Sequence, residues 1–200
     1  MRQKHRYIIS AALSGVLMLG AQGLTAQTLH STTAQATIMK IDFDSREDFA
    51  SWRVVNDGVM GGLSEGGILS KDGYMNFSGT INTDGGGFSS IRKWIEPGAF
   101  ETADTLTFKI RSDGRKYQVN LRTGARHWGR SVAYRADIPA VPAGQWADVS
   151  IKLSDLSPSV FGRSVKARPF DESDVRILGV ILADGQDGPF NLDIKEISAQ

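Results

Sequence analysis

The sequence predicts an all-β protein that folds as an antiparallel β-sandwich of the jelly-roll type. Short runs in which apolar residues occupy every second position are typical of half-buried strands. Turn-forming Asp-Gly pairs separate many of these runs, and such pairs favour tight turns. No segment of about twelve residues carries the three-and-four apolar spacing of a long helix. Many short strands with turns between them favour a sandwich.

The predicted strands fill the chain from residue 38 to its end. The alternating runs come first: Met39 to Phe43, Met75 to Ile81, Leu106 to Ile110, Tyr117 to Leu121, Val132 to Ile138 and Val149 to Leu153. The last two runs are Val175 to Ala183 and Phe190 to Ile197. Because the first of these two is apolar at nearly every position, we expect it to be a central strand. Ser45 to Ala50 is expected to form one or two helical turns.

Residues 1–26 have the layout of a signal peptide. Basic residues precede an apolar run from Tyr7 to Leu19, and small residues follow, so cleavage is expected after Gly23 or Ala26. The apolar run is short for a membrane span, which takes about 20 residues, and a retained anchor is therefore the weaker alternative. We expect a periplasmic or secreted protein without stable membrane insertion after cleavage.

A polar spacer is predicted over 27–37, and one folded domain over 38–200, which is long enough to bury a single core. The sequence has 23 Lys and Arg residues against 22 Asp and Glu residues. Loss of the three basic residues of the signal peptide would leave 20 against 22, a net charge of about −2, which does not favour nucleic-acid binding. The chain has no cysteine, so its stability must come from core burial rather than from disulfides.

The most unusual segment runs from Trp52 to Ser64, where Asp57-Gly58 and Gly61-Gly62 bracket two apolar residues, Val59 and Met60, inside a polar loop. Its glycines indicate loops in which backbone segments approach closely. Such a loop either folds back on the core as a structural plug or presents Met60 to a partner, and both interpretations stay open. The candidate binding residues of this segment and of the glycine-rich segment that follows are Asn56, Asp57, Met60, Gly61, Gly62, Ser64 and Arg92.

A second candidate site is basic and aromatic, with a hairpin tip predicted over Thr123 to Gly129. Arginines beside an exposed tryptophan can bind anionic sugars, phosphate groups or an acidic protein surface. The alternative is a solvated polar face, because screening weakens scattered charges. The candidate residues of this cluster are Arg111, Arg115, Tyr117, Arg122, Arg126 and Trp128; Lys116, His127, Arg130 and Arg135 accompany them.

Catalytic and metal sites are poorly supported by the sequence. Beyond the signal peptide the only histidines are His30 and His127, too few for a histidine metal site and leaving one candidate for a Ser/His/Asp triad. Nucleophile-elbow, phosphate-loop and dinucleotide motifs are missing, and we expect no cofactor. A carboxylate pair of the glycosidase kind stays open. Asp42, Asp44 and Asp193 could bind a structural Ca²⁺ if the terminal strands pair.

Several motifs occur in a characteristic order along the domain. Asn-Asp-Gly-Val-Met-Gly-Gly at 56–62 follows Trp52, and Gly-Gly-Phe-Ser-Ser-Ile-Arg at 86–92 comes next. A basic stretch at 111–117, Trp146 and a closing Gly-Pro-Phe-Asn-Leu strand at 188–192 complete the order. From about Ile38 to Ile197, the chain resembles the complex I intermediate-associated protein 30 family.

That resemblance implies a galactose-binding-like β-sandwich and a non-catalytic, partner-binding role. Mitochondrial members of the family help to assemble respiratory complex I and are not enzymes. An exported chain would lie away from the peripheral arm of complex I, so we expect a different protein client.

The rival hypothesis is a carbohydrate-binding module of the periplasm or cell surface, and an enzyme is the third. A sugar site needs an exposed aromatic face, whereas a protein site needs a larger apolar patch. Burial of all four tryptophans would therefore count against carbohydrate; they are Trp52, Trp94, Trp128 and Trp146.

Overall fold

The computed structural model describes residues 39–44 and 46–200. The predicted signal peptide (1–26) and spacer (27–37) lie outside the described residues. Within the described part, the predicted antiparallel β-sandwich is confirmed: two sheets enclose one hydrophobic core. No helix of the described residues is long and apolar enough to cross a membrane.

The first sheet contains six strands of the described chain, in the order β3-β4-β13-β6-β9, with β1 also paired to β13. The terminal strands therefore pair, as the calcium hypothesis required, with Met39 opposite Ala199 and Asp42 opposite Glu196. Its strands are β1 (Met39–Asp42), β3 (Glu65–Lys71), β4 (Tyr74–Ile81), β6 (Thr105–Ser112), β9 (Trp146–Lys152) and β13 (Gly188–Ala199).

The second sheet contains seven strands of the described chain, in the order β11-β10-β8-β7-β12-β5-β2. Strand β12 lies between β5 and β7, which confirms that the apolar run near Val180 is a central strand. Its strands are β2 (Trp52–Asn56), β5 (Ser89–Trp94), β7 (Tyr117–His127), β8 (Arg130–Asp137), β10 (Ser157–Val160), β11 (Arg163–Ser164) and β12 (Ile177–Leu182).

Helical structure in the described residues is limited to short pieces. The expected turn near Ala50 is present as α1 (Arg46–Ala50). Three 3₁₀ turns cover Asp57–Met60, Leu153–Asp155 and Glu172–Asp174.

Period-two alternation sorts the side chains of each strand between the core and the outer faces. Phe77 and Phe108 of the first sheet and Leu121 and Tyr134 of the second are fully buried. The buried Tyr134 hydroxyl donates a hydrogen bond to the Arg168 carbonyl oxygen at 2.8 Å, so its polar atom is satisfied. Because Leu121 of β7 points into the core, its neighbours Asn120 and Arg122 lie on the outer face of the second sheet.

Sequence patterning missed β2, β3, β5, β10 and β11, and it placed β2 inside a loop. Strands β3 and β5 lack a clear apolar alternation because Gly66, Ser89 and Ser90 occupy buried or half-buried positions. A Cβ on Gly66 would lie 1.9 Å from the Ser89 Oγ. Here polar contacts between strands replace apolar packing, and the period-two signal is lost.

Candidate functional site

Asp57 holds the loop between β2 and β3 against the segment that precedes β5. It is fully buried, and its Oδ1 accepts a hydrogen bond from the Ser64 backbone N–H at 2.9 Å. Its Oδ2 accepts bonds from the Ser64 hydroxyl at 2.6 Å and from the Gly87 and Phe88 N–H groups at 2.5 and 3.1 Å. Burial alone would raise the pKa of Asp57, but these donors outweigh it and hold the pKa below its usual range.

Two glycines make room for this carboxylate. A Cβ on Gly62 would lie 2.3 Å from the Asp57 Cγ, and one on Gly86 would lie 2.4 Å from its Oδ2. Gly61 ends the 3₁₀ turn with a φ of 89°, a conformation that favours glycine. The glycine pairs at 61–62 and 86–87 therefore allow the backbone to close around Asp57.

Asn56 and Ser64 extend the same network. The Asn56 amide donates to the Gly66 carbonyl oxygen at 3.1 Å, and its Oδ1 accepts from the Ser89 hydroxyl at 2.7 Å. The Ser64 Oγ also accepts from the Asn82 N–H at 3.1 Å. The base of the loop thus has the contacts of a structural plug, whereas the residues at its tip are exposed.

The tip of the loop exposes apolar side chains. Val59 is 75% exposed and Met60 61% exposed. Both line a groove of about 640 Å³ on the outer face of the second sheet, and Phe161, after β10, lines it as well. Exposed apolar side chains around a cavity of this size are typical of binding sites.

Three arginines from three strands line the same groove: Arg92 of β5, Arg122 of β7 and Arg135 of β8. We call it the arginine groove. Arg92 pairs in register with Gly179, and Arg135 pairs with Asn120. The strand order β8-β7-β12-β5 places these residues on neighbouring strands. The groove therefore combines a basic floor with an apolar rim.

The remaining basic candidates lie elsewhere. Arg111 belongs to the first sheet, where its Nη2 lies 2.7 Å from the Asp193 carboxylate and its guanidinium stacks over Trp146 at 4.9 Å. Arg115 forms a bidentate pair with the buried Asp184. Burial and the neighbouring Asp113 raise the pKa of Tyr117, whose hydroxyl donates to Asp113.

Arg126 and Trp128 lie at a hairpin tip that is narrower than predicted. Strand β7 continues to His127, which pairs with Arg130, and only Trp128 and Gly129 form the turn. Both turn residues have positive φ, 52° and 76°, as a two-residue type I′ hairpin requires. The prediction of a tip over Thr123 to Gly129 is therefore wrong. Trp128 is 90% exposed.

Some groove residues were not among the candidates. Arg135 belongs to the predicted basic cluster without being a candidate, and Phe161 carries no signal in the sequence. The same holds for Asn120, which pairs with Arg135 but does not line the groove. Alternation would place Asn120 and Arg122 on one face of β7, but the pairing of Asn120 with Arg135 depends on the register of two strands.

The tryptophans differ in their solvent exposure. Trp52 is buried, whereas Trp94 is 61% exposed on β5. Trp94 and Arg92 lie two positions apart and therefore share the outer face of the second sheet. The carbohydrate hypothesis keeps its exposed aromatic side chains.

The acidic residues considered for calcium do not form a site. Asp193 receives hydrogen bonds from Asn76 at 2.7 Å and from Arg111 at 2.8 Å. Among the described residues, no three histidine, cysteine or acidic residues lie together as metal ligands.

The sandwich is similar to solved carbohydrate-binding modules. A family 11 module from Clostridium thermocellum, solved with a β-1,3-1,4-mixed-linked tetrasaccharide, matches with a TM-score of 0.57 and 18% identity, over 80% of this chain and 94% of that one. The family 11 module of a cellulosomal cellulase matches with a TM-score of 0.59 and 16% identity, over 82% and 95%. At these identities the likeness shows the fold alone.

The sequence comparisons are more specific. A mouse protein, mitochondrial complex I intermediate-associated protein 30, is 30% identical over 174 residues, which cover 76% of this chain and 52% of the mouse protein. The chain thus spans about half the length of this curated relative. The model of the family itself matches residues 41–194. The chain therefore belongs to the complex I intermediate-associated protein 30 family.

Proposed function

We propose that this chain is a non-catalytic binding domain that holds a protein partner in the arginine groove. The observation that carries the proposal is the apolar rim, because Val59, Met60 and Phe161 are all exposed around one cavity. Exposed apolar side chains gathered at one place indicate an interaction site. The family relationship supports an assisting role in the assembly or stability of that partner.

The loop that carries Met60 is rigid at its base and holds Met60 exposed to a partner. Its base is fixed by the four hydrogen bonds to Asp57, so little backbone entropy is lost when Met60 meets a partner. Methionine is flexible and polarisable, which suits a protein surface.

The groove offers little for acid-base or nucleophilic chemistry. Among the described residues that line the groove, the acidic one is Asp57. Both oxygens of the Asp57 carboxylate already accept hydrogen bonds. His127 lies near the hairpin tip beside Trp128. These placements support binding rather than catalysis.

Site-specific photo-crosslinking tests the protein proposal. A photoreactive residue replaces Met60, or Phe161, in the full chain expressed in its own cells. The matched control replaces Leu69, which is exposed on β3 of the first sheet. We expect one protein to be captured from both groove positions and not from the control. The same products at all three positions, or none in the groove, would contradict the proposal.

A carbohydrate-binding module is the second candidate, favoured by the exposed Trp94 on the same face as Arg92. Sugar rings stack on such aromatic faces. Calorimetry with a β-1,3-1,4-linked glucan tetrasaccharide and a glycan array tests it, with Trp94→Ala expected to lose binding and Trp128→Ala as the comparison. Absence of binding to every glycan would remove this candidate.

We also propose that the protein is exported through the signal peptide of residues 1–26. Cell fractionation and the intact mass of the purified protein test this. A periplasmic or secreted product that begins after Gly23 or Ala26 is expected, and a cytoplasmic product that retains its first residues would refute it.

A further inference from the structure

The three arginines of the groove have no acidic partner among the described residues. Arg92, Arg122 and Arg135 take part in none of the ion pairs, and the Nε atom of each is buried without a hydrogen-bond partner. Such orphaned donors are uncommon in native proteins, where buried polar groups are nearly always paired.

The surroundings act against the charges of these arginines. Burial lowers the pKa of Arg92 to about 10, and the charges of Arg122 and Arg135 add to the effect. Burial likewise lowers the pKa of Arg122 and of Arg135. Arginine is not deprotonated in proteins, so the groove holds three mutually repelling cations at one place.

Asn120 adds unpartnered polar atoms next to Arg135. It lies on the outer face of β7, opposite Arg135, yet it is only 1% exposed. Neighbouring side chains of that face must therefore cover it. Both its Nδ2 and its Oδ1 are buried without partners.

Gly179 lets one arginine lie across the sheet. A Cβ at this position would lie 3.3 Å from the Arg92 Cγ and 2.8 Å from the Ile91 carbonyl oxygen. The side chain of Arg92 thus runs over β12, the strand that separates β5 from β7. This route brings its guanidinium towards those of Arg122 and Arg135.

Asp57 does not pair with the arginine cluster, although it lines the groove. Its carboxylate accepts four hydrogen bonds, from Ser64, Gly87 and Phe88, and forms no ion pair with any of the three arginines. A carboxylate that pairs directly with these arginines is therefore missing from the described residues and would have to belong to a ligand.

We propose that the arginine groove binds an acidic segment of the protein partner, with two or more carboxylates on Arg92, Arg122 and Arg135 and apolar side chains on Val59 and Met60. This inference rests on the proposed function. Arginine matches carboxylates through forked, charge-assisted hydrogen bonds. A single small anion would leave most of a 640 Å³ groove unfilled.

The rim favours a peptide over an acidic sugar. The lining contains Val59 and Met60 but not Trp94. The Arg130 guanidinium lies over one face of the Phe161 ring at 4.9 Å, which reduces the aromatic surface left for a sugar. A peptide in which aliphatic side chains flank the carboxylates fits this lining best.

Fluorescence anisotropy on the full chain tests the inference. The probe is a labelled peptide in which glutamate alternates with leucine, and its glutamine counterpart is the control. We expect binding of the glutamate peptide that weakens with added salt, and binding of the glutamine peptide weaker by about tenfold or more. Arg92→Met, Arg122→Met and Arg135→Met should each weaken the glutamate peptide by a similar factor.

The matched control variant is Lys195→Met, which removes one exposed positive charge from the first sheet and should leave binding unchanged. Melting curves of each arginine variant verify that it is folded. Equal binding of the two peptides, no binding of the glutamate peptide, or tri-galacturonate binding in place of both would overturn the inference. If photo-crosslinking from Met60 survives in Arg122→Met, the protein-binding proposal stands and the acidic specificity is refuted.

Discussion

Arg115 and the three arginines of the groove show two uses of the same side chain. Arg115 donates from Nε and Nη2 to Asp184 at 3.0 and 2.6 Å, and from Nη1 to the carbonyl oxygens of Gly188 and Pro189. Arg92, Arg122 and Arg135 have no such partners among the described residues. A buried cation whose partners belong to the fold is costly to unpair, whereas one that the fold leaves unsatisfied is available to a ligand.

The largest effect should follow from breaking the satisfied pair. Arg115→Met leaves Asp184 as a buried charge, since only 1% of its side chain is exposed. We expect the free energy of unfolding to fall by about 3–5 kcal/mol, measured by urea denaturation. Lys116→Met, next to it and exposed, should change it by less than about 0.5 kcal/mol. Equal small losses of unfolding free energy in the two variants would mean that the Arg115–Asp184 pair does not stabilise the start of β7.

Asp57→Asn should have the next largest effect. The amide keeps the shape of the carboxylate, but in either orientation its NH₂ group faces a backbone N–H donor, of Ser64 or of Gly87 and Phe88, so the expected loss is about 2–3 kcal/mol. Glu65→Gln, an exposed acid at the start of β3, is the neutral comparison.

The pH dependence of stability tests the same residue independently. Because the folded pKa of Asp57 is lowered, its contribution is complete above its unfolded pKa of about 3.9 and is lost as the pH falls through the lower folded value. Stability of the wild-type chain should therefore decline more steeply below about pH 4 than that of Asp57→Asn. Parallel curves would show that the carboxylate contributes no charge-dependent stability.

The difference between apolar packing and polar contacts explains which strands the sequence could predict. The alternating strands β4, β6, β7, β8 and β13 were predictable because each buries one face. Strand β5 was hidden, since Ser89 and Ser90 are buried through hydrogen bonds to β2 rather than through apolar packing.

The candidate site divides in the same way. The glycine pairs marked the loop around Asp57, but its pairing with Gly87 and Phe88 depends on a contact between distant segments. The groove could not be assembled from the sequence at all, because Arg92, Arg122 and Arg135 converge only through sheet order and register.

A smaller effect is expected where the loop backbone closes on Asp57. Gly62→Ala would place a Cβ 2.3 Å from the Asp57 Cγ, and the displacement should cost about 1–3 kcal/mol. Gly58→Ala is the matched control in the same loop, because a Cβ there meets nothing within 4 Å. Thermal melting of the two variants distinguishes a packing effect from a general effect of glycine replacement, which both would share.

The smallest effect should come from the unsatisfied arginines. Arg122→Met removes a charge that burial disfavours and that repels Arg92 and Arg135, while methionine keeps much of the apolar stem. In the absence of a ligand we expect unfolding free energy to change by less than about 0.5 kcal/mol, or to rise. A loss as large as that of Arg115→Met would mean that the groove arginines hold the sheet together, and the distinction between the two kinds of arginine would disappear.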